Sequence, residues 1–91
     1  MELILSNYGN VIATDNRSGE IYDIIKKGLT KGESIIIDAK DVTISTKAAR
    51  IIFGRLYKEL KEQFNEKISF RNNNDLFNFS VNEGISTELE N

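Results

Sequence analysis

The chain has 91 residues, 40 % of them hydrophobic, a formal net charge of −2, and neither cysteine nor histidine. A chain of this length is expected to be one small domain over residues 1–91 that buries roughly 60–65 % of its unfolded surface, so most of its apolar side chains belong to the core. Without cysteine and histidine there are no disulfides, thiol nucleophiles or imidazole bases, and almost no means of holding zinc or haem; oxygen donors remain, which suit magnesium or calcium.

In chain order, Leu3-Ile4-Leu5 predicts a short strand, Asn7-Tyr8-Gly9-Asn10 has the composition of a turn, and Val11-Ile12-Ala13 predicts a strand returning beside the first. Thr14 or Asp15 can cap the next element, in which Ile21, Ile24, Ile25 and Leu29 follow helical spacing and Gly28 and Gly32 bracket the exit. Ser34 to Ala39 holds three consecutive isoleucines. Their β-branching and lack of alternation predict a central, parallel strand covered on both faces.

A second helix is predicted from residue 46 to about 64, with Ala49, Ile52, Phe53, Leu56, Leu60 and Phe64 on one stripe. Its other face offers Arg55–Glu59 and Lys58–Glu62 pairs at i,i+4. Gly54 interrupts the pattern at about 1 kcal/mol relative to alanine, which a close approach to a neighbouring element would explain. Lys67 to Arg71 predicts a strand with Ile68 and Phe70 inward. Phe77 to Val81 alternates like a strand, yet Phe77, Val81 and Ile85 also share a helix face that Asn74 or Asp75 can cap. Helix is the reading adopted, with Phe70, Phe77 and Phe79 in the core and a frayed tail over 86–91. The expected fold is α/β, in the order β-β-α-β-α-β-α: a four-stranded mixed sheet with three helices mainly on one face.

Charge is unevenly spread. Residues 1–43 carry −2, residues 44–71 carry +4 and residues 72–91 carry −4. A solvated helix face and a polar terminus account for this. The basic stretch from Lys47 to Arg71 lacks exposed aromatics for base stacking, so no nucleic-acid partner is expected. No basic segment precedes the short apolar start, and no apolar run approaches the ~20 residues of a membrane span. A cytoplasmic location with no membrane partner is therefore expected.

The stretch DVTISTKAAR, residues 41–50, joins the isoleucine strand to the second helix. Ser45 or Thr46 can cap that helix, and a cap is worth ~1 kcal/mol. Lys47 in the first turn opposes the helix dipole, and together with Arg50 and the hydroxyls it would suit an anion. Three readings of this junction stay open: a plain cap, an anion or nucleotide site, and a contact for a partner protein. Catalysis by a lysine-activated hydroxyl lacks an oxyanion loop, so no catalytic residue is assigned. Asp38 and Asp41 follow the strand at a position where ligands gather in open sheets, but acids there commonly cap turns, and no metal or cofactor is expected.

IIIDAKDVTIS followed by TKAARIIFGRLYKEL resembles the STAS domains of sulfate transporters and anti-sigma factor antagonists, and more nearly their STAS-like relatives of unknown function. The residues that carry the resemblance are Asp38, Val42, Ile44, Ser45, Thr46, Phe53, Gly54 and Leu56, within a similarity over roughly residues 10–85. It implies a non-catalytic regulatory domain that binds a protein partner through loop 41–47 and the start of the second helix, with Asp41, Ser45, Thr46, Lys47 and Arg50 as contacts. It also implies a partner of the histidine-kinase-like ATPase class and phosphorylation at the position of Thr46. Ser45 stands where antagonists carry aspartate, and Lys47 and Ala48 also depart from the family pattern.

Overall fold

A computed structural model of the protein describes residues 1–90. The chain runs through β1 (Glu2–Ile4), a 3-10 turn (Leu5–Tyr8), β2 (Val11–Ile12), α1 (Asp15–Thr30), β3 (Ile35–Asp38) and β4 (Thr43–Ile44). The next helical run comprises α2 (Thr46–Ala49), a π turn (Arg50–Gly54) and α3 (Arg55–Leu60). A 3-10 turn (Lys61–Gln63), α4 (Phe64–Lys67), β5 (Ile68–Arg71) and α5 (Asp75–Leu89) complete it.

The α/β class is as expected, but the single four-stranded mixed sheet is corrected. Three strands form one parallel sheet in the order β1-β3-β5, and β2 and β4 form a separate parallel pair. The segment after β1 does not turn back as a hairpin. It crosses a 3-10 turn and resumes the same direction, so that β1 and β2 run beside β3 and β4 with one interruption. Strand β4 was not anticipated; at two residues it is too short to show a period.

The isoleucine strand is central and parallel, with Ile35 and Ile37 buried, but it is not covered on both faces: Ile36 is 40 % exposed. Leu3, Ile35, Ile37, Ile68 and Phe70 point toward the helices, while Glu2, Ile4, Ile36, Ser69 and Arg71 form an open outer face. Across that face Arg71 pairs with Glu2 and Asp38. On the inner side Phe53 of the π turn meets Phe70 edge-on at 5.2 Å and Phe77 of α5 at 6.4 Å. Phe79 points the other way and is 60 % exposed, which corrects its expected place in the core.

Thr14 caps α1 by accepting from the Arg17 N–H, and Gly32, at φ +84°, supplies the left-handed residue beyond its end. Gly28 is not an exit signal. It is buried where a Cβ would lie 2.8 Å from the Ile35 Cδ1.

The second helix departs from the expected unbroken run to residue 64. Its chain turns at Lys61, with φ +53° and ψ −122°. In a straight helix Phe64 would stand about 10 Å further along the axis than Tyr57; the break folds it back, and the two rings meet at 5.2 Å. Gly54 is accounted for by the close approach of α5, since a Cβ there would fall 2.9 Å from the Gly84 carbonyl oxygen and from the Glu88 Cβ.

Asn74 caps α5 by accepting from the Phe77 N–H, so the helical reading of this segment holds. The expected fraying after Ser86 does not begin there: the helix continues to Leu89, held by an ion pair between Glu88 and Arg50. Asn91, the end of the expected tail, lies outside the described residues.

Candidate functional site

Parallel strands gather the following helix N-termini at their carboxyl end, and the residues singled out in 41–50 lie there. Val42 and Ile44 are buried, and Asp41 turns the chain with φ +57°. This left-handed conformation is one that aspartate tolerates better than most residues. Thr43 then pairs in register with Val11, and the Thr43 and Ser45 N–H groups donate to the carbonyls of Asn10 and Ile12. The loop is thus fastened on both sides of its exposed residues.

Ser45 is the cap. Its Oγ accepts from the Ala48 N–H at 3.0 Å, and its backbone is extended as the N-cap position requires. Thr46 is the first helical residue; it is exposed, and its hydroxyl has no hydrogen-bond partner among the described residues. The two candidates for one structural role are therefore separated. Ser45→Ala is expected to cost about 1 kcal/mol in chemical denaturation, whereas Thr46→Ala should stay within about 0.5 kcal/mol of the wild type.

The cations of this region are engaged. Lys47 Nζ lies 3.1 Å from Asp15 Oδ1, which joins the first turns of α2 and α1. Arg50 Nε donates to Glu88 Oε1 at 2.9 Å. Both point to carboxylates of the same chain and not into a common anion cradle. Moreover, α2 proper is only four residues long before the π turn begins.

Asp38 and Asp41 do not converge. Asp38 accepts from the Lys40 N–H at 3.0 Å and from Asn72 Nδ2 at 3.1 Å, and Arg71 Nη2 lies 3.3 Å away. The Lys40 N–H, and then the Asn72 amide, hold its carboxyl below the ordinary aspartate range. Asp38 thereby ties the loop after β3 to the loop after β5.

Two features of the site were not foreseen. Val11 is 70 % exposed and neighbours Thr43, so an apolar side chain borders the hydroxyls of the loop. Only the pairing of two short strands reveals this. The second is the fate of the predicted i,i+4 pairs. Glu59 instead binds Lys26 at 3.1 Å and accepts the Tyr22 hydroxyl, while Arg55 lies over the Tyr22 ring at 4.9 Å. Lys58 reaches Glu88. The basic stretch is therefore laced to α1 and α5.

Burial, then the Glu59 hydrogen bond, pushes the Tyr22 hydroxyl up from 10.0 to about 12. A raised folded-state value stabilises the fold fully below pH 10, and that contribution is lost as pH rises toward 12. Ultraviolet titration of the wild type against Tyr22→Phe should therefore place the missing phenol's ionisation at about 12, and Glu59→Gln should bring it down.

A groove of about 430 Å³ lies elsewhere, between β5, α3, α4 and α5, with Tyr57, Phe64, Phe70, Val81 and Ile85 among its lining residues. Among the described residues no helix is long and apolar enough to cross a membrane. Compared with known proteins, the chain matches no family model, no curated protein and no solved structure. The resemblance to STAS-like sequences thus stands on the sequence motifs alone.

Proposed function

We propose that the chain is a non-catalytic regulatory domain of the STAS-like kind, which binds a partner protein through loop 41–47 and the opening turn of α2. The observation that carries this reading is the division of labour between Ser45 and Thr46. Ser45 already satisfies the helix end, so the exposed Thr46 hydroxyl has no local structural task. Val11 and Thr43, paired on the two short strands that lead into the loop and the helix, supply an apolar and hydroxyl-bearing surface, and the fastened backbone presents it without a large ordering cost. Asp41 and Lys47 supply charges at its rim.

Following the resemblance, the partner is a histidine-kinase-like ATPase in the cytoplasm, and Thr46 is the residue it would phosphorylate. A phosphate there adds about −1.5 to −2 charges. It would stand at a helix start beside Lys47, so its effect is expected on the partner and not on the fold.

The test is affinity purification from the native host at native abundance, comparing the wild type with Val11→Asp and Thr46→Asp proteins of unchanged melting temperature. The reading expects a kinase-like ATPase with the wild type, lost with both variants. An ATPase retained by both variants would remove the surface from the proposal. A phosphate never found on Thr46 in vivo would remove the switch while leaving the interaction.

A further inference from the structure

The apolar groove and one edge of the sheet share a residue, Phe70. The left-handed turn at Lys61, φ +53°, folds Phe64 back against Tyr57, and these two rings line the groove from α3 and α4. Val81 and Ile85 line it from α5, and the half-buried Phe70 ring lines it from β5. The polar side chains of the lining, Asn65, Asn82 and Ser86, are exposed and uncharged. No charged residue is among the lining.

Strand β5 is the last of its sheet. In a parallel ladder, successive residues direct their N–H and C=O groups alternately to one side and the other. The Arg71 carbonyl accepts from the Ala39 N–H at 2.9 Å, so Arg71 and Ser69 face β3. Phe70, between them, turns its N–H and C=O to the open side, where neither has a partner among the described residues. Such an edge is a template for a further extended chain.

We propose that the free edge of β5 and the groove beside it dock an extended segment of a protein partner, which joins the sheet as a fourth strand. Backbone complementarity selects the class of occupant. An extended chain offers a donor and an acceptor to the Phe70 N–H and C=O, whereas a helix has spent its backbone groups internally. Charge selects the side chains. A carboxylate or ammonium entering the uncharged lining would lose hydration without meeting a counter-charge. Residues two apart on a strand share a face, so the segment carries apolar residues at alternate positions toward the groove. Polar residues stand between them, on the side of Ser69 and Arg71. This rests on the reading of the chain as a protein-interaction domain and adds the chemistry of a second contact.

The experiment titrates the full chain with a short peptide of alternating valine and threonine, with a lysine at each end, and follows amide hydrogen exchange by nuclear magnetic resonance. At roughly ten times the peptide's Kd only about a tenth of the chain is free, so exchange at the Phe70 amide should slow roughly tenfold. The Ile4 amide, on the opposite edge of the sheet, should be unaffected. The same peptide methylated at every amide nitrogen keeps its side chains and loses its donors; it should bind at least roughly tenfold more weakly. Aspartate in place of its valines should do the same. Leu89→Asp, at a half-exposed position of the groove, should weaken the original peptide roughly fivefold with the melting temperature unchanged.

Equal binding by the methylated peptide would overturn strand addition. Equal slowing at Ile4 would overturn the site, since any free edge would then serve. A chain that dimerises without peptide and protects the Phe70 amide in doing so would overturn the partner segment, because a second copy would hold the edge. Val11→Asp and Thr46→Asp leave the β5 edge in place, so peptide binding should persist in both. Partner capture lost in those variants with no peptide binding in any form would overturn this surface alone and leave the loop's reading standing.

Discussion

Phe53→Ala is expected to lower the stability of the fold by about 3–5 kcal/mol, a large part of the roughly 5–14 kcal/mol that a domain of this size possesses. Phe53 is fully buried, and its ring is the hub that joins the sheet to α5: it meets Phe70 and Phe77 edge-on, and those two rings meet each other at 5.8 Å. Removing it deletes apolar burial and two aromatic contacts, and it opens a cavity that Ile52 and Leu56, fixed on the same helical run, are badly placed to fill. Urea denaturation gives the cost, and near-ultraviolet circular dichroism should show the loss of ring packing. Phe79→Ala removes the same side chain from an exposed position on α5 and should stay within about 0.5 kcal/mol. Equal costs for the two variants would mean that the three-ring cluster does not anchor the sheet.

Periodicity made the long elements legible. Four apolar residues at helical spacing announced α1, and the candidate caps Asn74 and Asp75 announced α5 once the helical face of Phe77, Val81 and Ile85 was preferred to the strand-like alternation of 77–81. The structure gives the cap to Asn74. The isoleucine run announced a central strand, because β-branched residues suit a pleated surface. What the run did not announce was its exposed side. A three-residue apolar string is consistent with burial on both faces, and only the absence of helices on the outer side leaves Ile36 in solvent. The sheet division was hidden for a related reason: β2 and β4 are two residues each, and their parallel pairing is a tertiary choice with no local signature.

The site was legible in part. Hydroxyls before a helix signalled a cap, but two adjacent hydroxyls compete for it, and only backbone geometry awards it to Ser45. The π turn has no signature in Arg50-Ile51-Ile52-Phe53-Gly54 beyond the glycine that lets α5 approach. The charge blocks carried more than they first suggested. A +4 segment followed by a −4 segment is what a chain needs to pair residues 38 apart, as Arg50 and Glu88 do.

Gly84→Ala tests the contact on which that pairing depends, and two effects of opposite sign decide it. Helix propensity alone would favour alanine by about 0.8–1 kcal/mol at an exposed interior position. At Gly84, however, a Cβ would meet the Arg50 N at 2.6 Å, the Ala49 carbonyl carbon at 2.7 Å and the Ala49 Cβ at 2.9 Å. Two of these are backbone atoms of the opposing helix and cannot swing aside, so α5 must move outward. Overpacking of this kind costs about 1–3 kcal/mol net, and the displacement should also lengthen the Arg50–Glu88 contact. Gly19→Ala is the matched comparison: it lies within α1 with nothing within 4 Å of the new Cβ, and it should stabilise by about 0.5–1 kcal/mol. Opposite signs for the same substitution in two helices, read from urea midpoints, are the expected result. A stabilising Gly84→Ala would show that α5 does not cross the π turn at the distance described, and the approach of Glu88 to Arg50 would lose its geometric basis.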